Sequence, residues 1–175
     1  MAVIVVDAAA FCHGAEVVDG LTARLGIERL RDDRLFARAA ERFSVAPKKL
    51  ERLMYGPPSF FGTPRRDKVK LVAILRACLA EDIAADSLIY LGLAGHLLPP
   101  TLTHTLKVCL AGTHDWRVEQ AMADGASRRD AERAVTRDDE TRAEWTHLVS
   151  GRGPWEKSLY DIFGAKGWTA AQNAK

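Results

Sequence analysis

The chain has 175 residues, 47% hydrophobic and 27% charged, and its 25 basic and 23 acidic residues leave a formal net charge of +2. That length buries one substantial core, and charge so nearly balanced excludes the strong field that a nucleic-acid polymer or an anionic membrane would require. No apolar run approaches the roughly 18 residues of a membrane span, no signal-peptide pattern opens the chain, and three widely spaced cysteines without a CxxC pair fit reduced thiols and a cytoplasmic location.

Val3 to Val6 are β-branched throughout and predict a buried strand ending at Asp7. Val17, Val18, Leu21 and Leu25 recur near helical spacing, and Gly26 is placed to stop that helix. A second helix is expected over 31–42, with Leu35, Phe36, Ala39 and Phe43 on its buried side. Pro47, tolerated in a first turn, opens a shorter helix that ends near Tyr55. "YGPPSFFGTPRR" is irregular because Pro57 and Pro58 lack donors. Its Phe60 and Phe61 either pack on the core or form a contact surface.

Val69, Val72, Ala73, Leu75, Leu79 and Ile83 predict a long, largely buried helix. "SLIYLG" reads as an interior strand closed by Gly92, and "TLKVCLAG" as another, placing Cys109 in the core. A helix opens at "THDWRV". Ser127 and Asp130 form a capping-box signature for the next one, whose thin stripe of Ala131, Ala134, Val135 and Trp145 suits a partly exposed arm. "SLYDIFG" is a short edge or final strand. Strands alternating with helices predict a three-layer α/β/α domain around a mainly parallel sheet.

In this order the segments resemble the cytidylate-kinase-like family, a nucleoside monophosphate kinase branch of the P-loop fold. "VIVVDAAAFCHGAEVVDGLTARLGI" is similar to its strand, phosphate loop and helix ending in Leu-Gly. "RDDRLFARAAERFSV" looks like its Asp-Arg segment and Ala-Ala helix, and "YLGLAGHLLPPTL" like its strand and Gly-Arg-Gly turn. "VCLAGTHDWRVEQAMADGASRRDAERAV" resembles its strand, first LID arginine and LID helix, and "WEKSLYDIF" its terminal Tyr-Asp strand. The resemblance implies one domain over 1–175, with a LID-like arm around 117–153.

The phosphate-binding pattern departs from that family. A Walker A loop has the form GxxxxGK[ST] because packed amides surround a phosphate, the lysine reaches the transferred group and the hydroxyl holds magnesium. With Gly14 on the second glycine, Ala9 falls on the first, Ala15 on the lysine and Glu16 on the hydroxyl. Leu93 likewise stands where the Gly-Arg-Gly turn carries arginine. Cations are lost at both ends of a phosphoryl-transfer complex, so ordinary nucleoside monophosphate kinase activity is expected to be absent or very low. No catalytic residue is assigned.

Polar groups suited to an anion remain. Ligands of open α/β sheets bind beyond the C-terminal ends of the strands, which gathers Asp7, His13, His96 and His114 around one expected cleft. Cys12 and Gly14 join them from the loop, where a helix N-terminus would retune a thiol. Arg117 matches the first LID arginine, and Arg128, Arg129, Arg133 and Arg137 lie in or beside the arm. Each has a plainer reading. Asp7 would tie down loop amides, Cys12, His13 and His96 would fill turns, and the arginines would form a salt-bridged surface with Asp130, Glu132, Asp138 and Asp139.

The scattered histidines form no metal-ligand pattern, so no metal is expected. Two functional readings stand. One is a degenerate nucleoside-kinase-like domain acting in ligand sensing, regulation or protein interaction. The other is an unconventional phosphotransferase on a nucleotide or another small phosphorylated substrate, with Mg2+ beside the nucleotide. The partners expected are a small anionic ligand or nucleotide and a protein.

Overall fold

A computed structural model describes residues 3–56, 64–85, 87–99 and 101–166. Phe60 and Phe61 lie outside these. Five strands, β1 (Val3–Ala8), β2 (Glu28–Arg31), β3 (Leu88–Leu91), β4 (Thr105–Gly112) and β5 (Ile162–Lys166), form one sheet in the order β2-β3-β1-β4-β5. Every neighbouring pair is parallel. The helices are α1 (Gly14–Leu25), α2 (Asp32–Phe43), α3 (Pro47–Tyr55), α4 (Arg65–Ala84), α5 (His114–Ala123) and α6 (Arg128–Ser150), with a 3-10 turn at Leu93–Leu97. Among the described residues, none of these helices is long and apolar enough to cross a membrane.

The sheet is covered on both faces, and strand alternation divides its side chains between two cores. Val3, Val5 and Tyr90 face the larger core, with residues of α2, α3, α4 and Trp145 of α6. Ile4, Val6 and Ile89 face the other way, onto Val18 and Leu21 of α1. A third cluster joins α5 to α6 through Val118, Ala121, Ala131 and Val135. This is the three-layer α/β/α arrangement expected from the alternation of strands and helices.

Several boundaries and faces differ from expectation. β2 was not anticipated, since three of its four residues are charged and only Leu30 is buried. Pairing of its backbone with β3 makes it a strand. Phe43, at the end of α2, is 37% exposed, and the Arg42 guanidinium lies over its ring. Val69 is 60% exposed in the first turns of α4, while Ala73 and Ala134 also face outward. These residues fit the helical period but lie outside the arc that reaches the core.

Candidate functional site

The C-terminal end of β1 delivers Asp7 into a buried network. Its carboxylate is 4% exposed and is paired with Arg142 of α6, itself 9% exposed. His96 Nε2 lies 2.9 Å from Asp7 Oδ2. The Tyr160 hydroxyl lies 2.8 Å from the same oxygen and 2.7 Å from the Pro154 carbonyl, with one proton to give. Burial alone would raise the Asp7 carboxyl, but Arg142, His96 and Tyr160 together outweigh it and hold it well below the usual carboxylate range. Arg142 also donates to the Ala8 carbonyl and stacks 5.8 Å from the Trp155 ring centre.

The loop between β1 and α1 keeps its place at a helix N-terminus, yet three of its amides are committed. Ala9 N donates to Leu110 O at 2.9 Å and Cys12 N to Ala9 O at 3.1 Å. Ala10 N donates at 2.9 Å to Asp138 Oδ2, reaching across from α6. That carboxylate also receives Arg117 at 3.3 Å and Arg142 Nε at 2.9 Å, while Asp139 takes Arg117 at 2.7 Å. Two guanidiniums therefore meet three carboxylates, Asp7, Asp138 and Asp139, leaving no surplus positive charge.

Phe11 and His13 take left-handed backbone conformations at φ 64° and 55°, which cost non-glycine residues about 1–2 kcal/mol each. Gly14 has a packing reason to be glycine: a Cβ there would lie 2.3 Å from the Ala8 Cβ.

The turn after β3 is built on a second buried acid. Asp32, the first residue of α2, accepts hydrogen bonds from the Tyr55 and Tyr90 hydroxyls, and the Ala94 amide donates to Tyr90 at 2.9 Å. Burial raises the Asp32 carboxyl, opposed by its hydrogen bonds from Tyr55, Tyr90 and the Leu93 backbone. Gly92, at φ 155°, must be glycine because a Cβ would lie 2.3 Å from this carboxylate. Leu93 is 2% exposed and its carbonyl accepts from Trp145 Nε1 at 2.7 Å. The position that resembled a phosphate-binding arginine is part of the core.

The remaining candidates divide. Asp7, Cys12, His13 and Gly14 line one cleft, as expected, while His96 meets Asp7 from a second cavity. His13 is exposed there, 3.2 Å from Glu16 and 3.3 Å from Gln120, and His114 lies apart, 3.4 Å from Thr136. Burial pushes the Cys12 thiol up to about 11, so the helix N-terminus does not activate it. Arg117 is fully buried in its pairs with Asp138 and Asp139. Arg128 and Arg133 make exposed pairs with Glu132 and Asp130. Arg129 and Arg137 line a shallow groove alongside Glu132, Glu140 and Glu144.

Sequence reading missed Asp32, Arg142 and Tyr160, and gave Asp138 only as a surface partner of the arm's arginines. The only local signal was the i,i+4 spacing of Asp138 and Arg142, which a solvated pair would share.

A cleft of about 790 Å3 opens beyond β1 and β3, between the loop, α2 and α3. Asp7, Glu16, Asp32, Asp33, Glu51 and Asp124 line it against Arg31, Lys48 and Arg142, so its walls are acidic in sum. Such walls repel a polyphosphate.

A parallel sheet in this order, with a loop leading into a helix N-terminus beside the cleft, defines a P-loop-kinase-like α/β domain. The chain belongs to the cytidylate kinase-like family, which it matches over residues 3–163. No curated protein matches it. A crystal structure of an uncharacterized protein from Eubacterium ventriosum superposes with a TM-score of 0.68 at 12% identity, covering 94% of this chain and 88% of that one. Shikimate kinase from Bacteroides thetaiotaomicron gives 0.52 at 12% identity, covering 93% and 84%. Shikimate kinase from Acinetobacter baumannii, in complex with shikimate, gives 0.53 at 11% identity, covering 99% and 88%. At these identities the likeness is one of fold.

Proposed function

We propose that the chain is a catalytically degenerate nucleoside-kinase-like domain that acts in ligand sensing, regulation or protein interaction. The observation that carries this reading is Asp138. Its carboxylate bonds the Ala10 amide and both buried arginines, and so stands as an internal anion at the phosphate loop. A polyphosphate would have to displace it without the help of a lysine at Ala15. Stabilising the charge that develops in phosphoryl transfer calls for preorganised cations, and here they are already neutralised.

ATP-consumption assays with CMP, UMP, AMP, GMP and their deoxy forms test the reading. Rates are expected near background, and turnover of about 1 per second or faster with any acceptor would overturn it.

The second reading, an unconventional phosphotransferase working with Mg2+, draws support from the cleft, whose volume of about 790 Å3 is large enough for a nucleotide. It requires Asp138 to release Arg117 or Arg142 when substrate binds.

A further inference from the structure

Asp7 borders a second cavity of about 480 Å3, and the charge of this one is reversed. Arg76, Lys107 and Arg152 line it, and among the described residues its only acidic lining residue is Asp7, which Arg142 already neutralises. The cations come from three separate elements: α4, β4 and the segment after α6.

Arg76 Nε donates to the Leu97 carbonyl at 3.1 Å, and Lys107 Nζ to the carbonyls of Leu98 and Pro99 at 3.3 and 3.1 Å. These bonds hold the cations in place without neutralising them. Neither side chain enters an ion pair among the described residues. Burial pulls the Lys107 ammonium below its ordinary value, opposed by the nearby Asp161 carboxylate, which bonds the Lys107 amide at 2.8 Å but makes no ion pair with the ammonium. Arg152 pairs with Glu156 at 3.3 Å, both side chains being largely exposed, and such pairs exchange readily.

His96 adds a directional group. Its side chain is 5% exposed and lines the cavity. Its Nε2 is engaged with the Asp7 carboxylate at 2.9 Å. Nδ1 has no hydrogen-bond partner among the described residues and is left for a ligand hydroxyl, which can give or take a hydrogen bond.

We propose that this pocket binds a small hydroxylated oxyanion, a phosphomonoester or a hydroxycarboxylate. Arg76, Lys107 and Arg152 take its charge, and His96 Nδ1 hydrogen-bonds its hydroxyl. A cavity of about 480 Å3 suits a metabolite-sized ligand. The site is separate from the acidic cleft and does not depend on whether phosphoryl transfer survives there.

Calorimetric titration of the full chain with glycerol 3-phosphate and with malate, at matched ionic strength, tests it. At least one should bind saturably with a Kd below about 1 mM, within the range common for metabolite sites. The preferred ligand tells phosphate from carboxylate. Arg76→Ala and Arg152→Ala, both at exposed positions, should each weaken it about tenfold, and His96→Phe about threefold or more, by loss of a charge-assisted or a neutral hydrogen bond. Lys48→Ala in the acidic cleft should bind like the parent. Absence of saturable binding by both ligands would overturn the proposal, as would binding that survives Arg76→Ala and Arg152→Ala unchanged.

Discussion

At the scale of single residues, the Asp7–Arg142 pair dominates. Both side chains are almost wholly buried, so removing either strands the other charge. Arg142→Ala should cost about 3–5 kcal/mol in urea unfolding at pH 7. The acid limb has a definite sign. Asp7 titrates lower in the folded protein than in the unfolded chain, so its contribution is complete above the unfolded value of about 3.9 and fades as pH falls toward the folded one. The stability gap between the parent and Asp7→Asn should therefore be full at pH 7 and narrow below about pH 4. A gap that widened in acid would contradict this reading of Asp7. Asp32, whose carboxyl is raised, acts in the opposite sense, its contribution being complete below the unfolded value and lost as pH rises through the folded one.

At the scale of elements, the loop and the first turn of α1 carry the argument. Gly14 is retained for contact with Ala8, so Gly14→Ala should destabilise by about 1–3 kcal/mol through overpacking, despite the better helix propensity of alanine. A parent-like unfolding midpoint would show the contact to be soft.

Charge repair of the loop should be insufficient. Ala15→Lys, alone or with Glu16→Ser, is expected to improve anion binding while leaving ATP-dependent transfer near background, because Asp138 still holds the Ala10 amide and alignment of two substrates is harder to supply than one contact. Robust transfer by the single variant would show the loop to be nearly competent. Adding Leu93→Arg is not an informative step, since Leu93 is buried in the core and the variant would bury a charge.

Those same elements show what could be read in advance. β1, β3 and β4 are legible as apolar runs and α4 as a long apolar-rich segment, because burial on a regular element leaves a period in the sequence. β2 leaves none, being a short edge strand with one buried side chain. The thin stripe of α6 suggested exposure, yet Arg142, Trp145 and Thr146 are buried. Arg142 finds its partner 135 positions earlier in the chain, at Asp7, and no local pattern encodes a pairing at that distance. Asp7 and His96 were recoverable because both follow predicted strands and strand ends converge.

At the scale of the whole molecule, the fold keeps the kinase layout while its charges are redistributed. The acidic cleft lies beyond β1 and β3, where the P-loop fold has its phosphate site, and the cationic cavity lies on another border of Asp7. On the function proposed above, the phosphate loop rejects a nucleotide because Asp138 and the cleft's own carboxylates stand in its place. Calorimetric titration of the parent protein with Mg-ATP tests this most directly. No saturable heat is expected up to about 1 mM, the upper end of ordinary substrate affinities, whereas binding at about 100 μM or tighter that leads to phosphate transfer would overturn the proposed function.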